Sequence, residues 1–179
     1  IIPKKSYNFL IDGVDKKLFS ALLKAKENSN LIISSQYDKN GRKKNELPIV
    51  ISLIGDEAFA HPLLKVDPDN KIRELPRNKR NKKSISQLAA KILNKESKSG
   101  LINYSIGDGF DYIPFINIIE QNINLTKSNS LEEKIIFVGA ILPFEDRVKT
   151  PINLLKNDLL SGTSPGVLVH LQSLLTYLN

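Results

Sequence analysis

Hydrophobic positions recur at helical spacing in three stretches of the chain. Val14, Leu18, Ala21, Leu22 and Ala25 form the first stripe, and Asn28-Ser29-Asn30 after it favours a stop. Ile85, Leu88, Ala89 and Ile92 form the second, opened by Ser84-Ile85-Ser86-Gln87, which fits a capping box. The third is Val167, Leu171, Leu174 and Leu178. It follows Ser164-Pro165-Gly166, an N-cap with Pro at the first helical position. Shorter apolar runs predict strands over residues 31–34, 49–54 and 101–104. The run over residues 134–138, closed by Gly139, suits a central strand covered on both faces. Residues 63–66 and 72–75 flank Asp67-Pro68-Asp69-Asn70, which has the composition of a tight hairpin turn. Gly107-Asp108-Gly109 reads as a second turn, residues 114–121 as a short helix, and residues 140–163 as a long loop. Strands alternating with helices predict an α/β fold, a layered domain with a central mixed sheet flanked by helices. A single domain is expected over residues 1–179.

Composition narrows the chemistry. Hydrophobic residues make up 41% of the chain, enough for a folded core without staples. Cys is absent, which excludes a disulfide framework, a cysteine-ligated metal and a thiol nucleophile. Met is absent too, and the chain starts Ile1-Ile2-Pro3, so it is expected to be an excised piece of a longer product. No run approaches the roughly 18–20 apolar residues of a membrane span. The formal charge is +7, but residues 71–83 carry seven basic residues and one Glu, a local +6 that leaves about +1 elsewhere. That segment has turn chemistry and no aromatic to stack on a base, so it reads as a solvated loop in preference to a nucleic-acid grip.

Enzyme signatures fail. The chain has no GxSxG, no phosphate loop, no HExxH and no GxGxxG. The carboxylate pairs Asp56/Glu57, Glu132/Glu133 and Glu145/Asp146 are adjacent, so their side chains diverge. Asp67-x-Asp69-Asn70 lacks the downstream Glu of a calcium loop and is expected to be a turn. No catalytic residue, metal or cofactor is expected. His61, ahead of Pro62, reads as a surface residue, and His170 as a core or interface residue beside the last helical stripe. Asp146-Arg147-x-x-Thr150-Pro151 lies beyond the C-terminal end of the expected central strand, where open α/β sheets bind ligands. Thr150, preceding Pro151, is confined to an extended conformation that aims its hydroxyl. Two readings stand side by side: Asp146 braces its loop against the last helix, or Asp146, Arg147, Thr150 and His170 form a ligand site.

The order of these pieces resembles a known family. The strand ending in Gly139, then Asp146, Thr150-Pro151 and Pro165-Gly166-Val167-x-x-His170, resembles the C-terminal signature of the second type of CHASE domain, the cyclase/histidine kinase-associated sensory extracellular domain. Asp67-Pro68-Asp69-Asn70-x-x-Arg73 looks like that family's Asp-x-Asp-Gly-x-x-Arg turn, with Asn70 in place of Gly, and residues 101–104 look like its Ile-Asn-Tyr strand. Leu171 departs from the small residue usual after the His. The resemblance covers most of residues 12–179, but the family's first strand–helix–strand section is missing.

The resemblance implies an extracytoplasmic sensory domain, periplasmic or cell-surface, of a bacterial membrane receptor. Its output would be a cytoplasmic kinase, nucleotide cyclase or similar module. Expected partners are a small-molecule or protein stimulus, the parent's membrane helices and, in a homodimer, a second copy; nucleic acid is not expected. Two alternatives stay open: an interaction or dimerisation module with no small ligand, and an α/β enzyme with Asp146 and His170 as acid–base pair.

Overall fold

The computed structural model describes residues 14–38, 40, 43–44, 48–79, 82–120, 134–156, 158, 160 and 162–179. The first apolar stripe forms helix α1 (Val14–Asn28), stopped where the Asn28 and Ser29 side chains donate back to the carbonyls of Lys24 and Ala25. Strand β1 (Ile33–Ser34) follows, and β2 (Gln36–Tyr37) pairs antiparallel with β3 (Lys43–Lys44). Helix α2 (Pro48–Ile54) then occupies the run expected to be a strand. Val50 and Ile54, four residues apart, are both buried on it, as a helical period requires and a strand period also permits. A single 3-10 turn (Asp56–Ala58) leads into β4 (Phe59–Ala60), which lies parallel to β1. Phe59 joins Val50 and Ile54 in a core against which Phe19, Leu22, Leu31 and Ile33 pack.

Helix α3 (Ile85–Ile92) begins where the sequence places it. Ser84 Oγ accepts the Gln87 N–H and Gln87 Oε1 accepts the Ser84 N–H, completing the capping box. Further along are the short helix α4 (Phe115–Ile119), β5 (Arg147–Lys149), β6 (Thr163–Pro165) antiparallel to β5, and α5 (Gly166–Leu178). The fold is α/β, with helices and small sheets of both parallel and antiparallel type. Contacts divide it into two units. The first holds the described residues up to Lys65 with Glu74–Leu101 and Tyr177–Asn179; the second holds Val66–Arg73 and Ile102–Thr176.

Three expectations are corrected in the second unit. Residues 134–140 form no strand among the described residues, and Ile135, Ile136 and Val138 are exposed. β-branched side chains favour extended backbone, but a strand also needs a neighbour's hydrogen bonds, which local sequence does not supply. The stretch expected to be a long loop over residues 140–163 contains strand β5, which pairs antiparallel with β6. Helix α5 starts at Gly166, with Pro165 ending β6, and it is not a striped surface helix. Leu168, Val169, His170, Gln172, Ser173, Leu174 and Thr176 are all buried, so its faces are covered nearly all round. Two of the buried polar side chains bond to residues 103–106: Gln172 Nε2 donates to the carbonyls of Asn103 and Ile106, at 2.6 and 3.1 Å, and Thr176 Oγ1 accepts the Asn103 N–H.

Candidate functional site

The predicted site residues gather around the first turn of α5. Asp146 adopts φ 51°, a left-handed conformation that Asp tolerates better than most residues. That bend lets its carbonyl accept the Gly166 N–H at 2.8 Å and lays its carboxylate beside the same residue. A Cβ built on Gly166 would lie 3.3 Å from Asp146 Oδ1, so a side chain there would crowd the carboxylate. Asp146 keeps an exposed face, while burial of the remainder pushes its pKa above the ordinary carboxylate value. Gly139 stands on the next residue of α5: a Cβ there would fall 2.7 Å from Val167 Cβ. His170 lies one turn further on, 4% exposed.

Arg147 and Thr150 spend their polar groups within the loop. Arg147 Nε donates to Thr163 Oγ1, and its Nη2 donates to the Thr163 carbonyl and to the Asp158 carboxylate. The two charged side chains are only 8% and 7% exposed, so this is a desolvated ion pair. Thr150 is 1% exposed. Its hydroxyl donates to the Ile152 carbonyl at 2.6 Å and lies 2.8 Å from Ser164 Oγ, which accepts the Leu154 N–H. Every group is satisfied if Ser164 donates to Thr150. The Thr150 hydroxyl thus points into the loop.

The structure therefore brings Gly139, Asp146, Thr150, Pro165, Gly166 and His170 to one end of one helix. It also adds Asp158, Thr163 and Ser164, which sequence reading did not single out as partners. The signal for Asp158 was indirect: an Arg inside a loop that folds back needs a counterion, and Asp158 is the first acid after it in the chain.

Asp67 and Asp69 form the expected turn elsewhere in this unit. Asp67 N–H donates to the Lys71 carbonyl, and Asn70 sits at φ 64°. Arg73 forks onto it, reaching Asp67 at 2.9 Å and both oxygens of Asp69 at 2.8 and 2.6 Å. The guanidinium holds the Asp69 carboxyl well below the usual carboxylate range. In the first unit Arg77 pairs with Glu74 and Lys82 with Asp56, so part of the basic 71–83 segment is neutralised within the fold.

His61 is the reverse of the expected surface residue, at 2% exposure. Its partners Leu63, Arg77 and Lys83 reach it through tertiary folding that a preceding-Pro rule does not register. The first unit also has an open cleft of about 350 Å³, floored by Leu31, Ile54, Leu88 and Ile92 with Lys26 and Lys91 on its rim. Among the described residues no three His, Asp or Glu side chains cluster to hold a metal, and no helix is long and apolar enough to cross a membrane. Comparison with family models, curated proteins and solved structures finds no match for this chain.

Proposed function

We propose that this chain is a non-catalytic signal-input domain, the extracytoplasmic sensory part of a bacterial transmembrane receptor with a cytoplasmic kinase, cyclase or similar output. One observation supports the reading beyond motif order. Gly139, Asp146 and Thr150, which lie 28, 20 and 14 residues before their contacts, each meet the start of α5, at Val167, Gly166 and the preceding Ser164. A stimulus at the exposed edge of Asp146 would be felt by α5 through the paired strands β5 and β6. Such coupling needs a ligand that favours one of two placements of loop and helix.

The full-length gene product in intact cells tests this. The chain has no Cys, so a single cysteine placed at exposed Ser97 reports its side of the membrane. Labelling by an impermeant maleimide without permeabilisation is expected, and Asp146→Ala should alter the output response while the receptor stays inserted. Labelling only after permeabilisation would overturn the proposal.

A second reading is favoured by a separate observation. Ile135, Ile136, Val138 and Phe144 are exposed, Val138 and Phe144 by 86% and 91%, which is unusual for a surface that meets only water. An interaction or dimerisation module would use such a surface. Sedimentation that depends on concentration, with no heat from any small ligand, would favour it over ligand sensing.

A further inference from the structure

His61 is held by partners that fix its protonation state. Nδ1 accepts the backbone N–H of Leu63 at 3.2 Å, and Nε2 lies 3.2 Å from the carbonyl oxygen of Arg77. An amide N–H only donates and a carbonyl only accepts, so Nδ1 presents its lone pair and Nε2 carries the hydrogen. The neutral Nε2–H ring satisfies both. A proton added at Nδ1 would turn that acceptor into a donor facing another donor, in a place with 2% exposure.

The same residue closes a basic hairpin. Its side chain bonds Arg77 on one leg. Its N–H donates to the Lys83 carbonyl at 3.1 Å and its carbonyl accepts the Ile85 N–H at 3.2 Å on the other. Between them Lys79 and Lys82 exchange two 3.0 Å backbone hydrogen bonds. The described residues of these legs carry the charges of Arg77, Lys79, Lys82 and Lys83, and Arg80 falls between them in the sequence. The nearby carboxylates Glu74 and Asp56 are engaged by Lys65 with Arg77 and by Lys82. The charge felt by the ring itself is that of Lys79, which opposes an imidazolium.

We propose that His61 is a proton-operated latch on two basic legs, residues 77–79 and 82–83: neutral, it holds both legs; protonated, it leaves its seat and the legs part. Burial lowers its pKa below the ordinary 6.5 and Lys79 adds to this, outweighing the Arg77 and Lys82 carbonyls that favour the charged ring. The open hairpin lets the ring regain its ordinary value. The closed state is therefore fully favoured above pH 6.5 and loses ground as pH falls from there toward the depressed value. One proton taken up on opening makes the opening equilibrium rise about tenfold per pH unit in that window. The latch goes beyond the receptor proposal and does not depend on it.

Hydrogen exchange of the 179-residue chain between pH 7.5 and 5, corrected for intrinsic amide rates, reads the hairpin directly. Protection over residues 77–79 and 82–85 should fall as pH drops below 6.5 in the native protein, by up to about tenfold per pH unit, and stay flat in His61→Gln, whose amide keeps a donor for Arg77 without titrating. Constant protection in the native protein, or an equal fall in the variant, would overturn the latch. Should the variant not fold, imidazole nitrogen NMR of the native chain decides. An Nε2–H ring at pH 7.5 that titrates together with the loss of protection supports it. An Nδ1–H or charged ring, or protection that persists through the ring's titration, defeats it.

Discussion

Gly139 lies so close to Val167 that an added Cβ would fall 2.7 Å from the valine Cβ and 2.8 Å from its Cγ2. Carbon atoms do not approach so nearly, so either the 134–140 segment or the first turn of α5 must give way. Gly139→Ala is expected to destabilise the chain by about 1–3 kcal/mol. Adding Val167→Ala should recover part of the loss, making the pair non-additive in a urea-unfolding double-mutant cycle. Strict additivity would mean that the two residues do not share the strain.

Arg147 and Asp158 should behave as a desolvated pair. Removing either partner alone strands the other charge, and Arg147→Ala or Asp158→Ala is expected to cost about 3–5 kcal/mol. Replacing both together, by Met and Leu, should cost less than either truncation, although Thr163 then loses its donors. Chemical denaturation of the three variants checks the order.

At the turn, the carboxyl of Asp69 is held low by Arg73, and the shift has a definite sign in pH. A depressed carboxylate contributes its stability above the ordinary 3.8 and loses it as pH falls through the folded value. Arg73→Gln should move the Asp69 carbon resonance titration up toward 3.8. An unchanged midpoint would show that the fork is not what lowers it.

Ser84 offers a local test. Its hydroxyl caps α3 from a fully buried position, so Ser84→Ala should cost about 1 kcal/mol, read as a lowered thermal midpoint. Ser84→Thr keeps the oxygen and should cost less.

How much of this was legible depends on whether local chemistry or distant partners decide each element. Helix α3 and the Asp67–Asn70 turn were readable because their bonds close within four residues: Ser84 with Gln87, Asn70 with Asp67. Helix α2 was misread because residues 48–54 are apolar nearly throughout, so no period separates helix from strand. The 134–138 run carried β propensity, but propensity names no partner strand. At the site, Asp146 as a brace between its loop and the last helix was legible, and its carbonyl accepts the Gly166 N–H. What the sequence withheld was direction: Thr150 and Arg147 turn inward, toward Ser164 and Asp158, and only folding reveals that.

Helix α5 carries a constraint that outlasts these details. Gln172 holds two carbonyls, of Asn103 and Ile106, with one amide nitrogen from inside the fold. A helix rises 1.5 Å per residue, and a hydrogen bond near 3 Å does not survive a slip of that size. The pair of bonds indexes the helix to one axial setting, like a key in a slot. Piston-like travel by one residue is therefore blocked unless residues 103–106 travel too, and any longitudinal displacement of this helix must drag that segment with it.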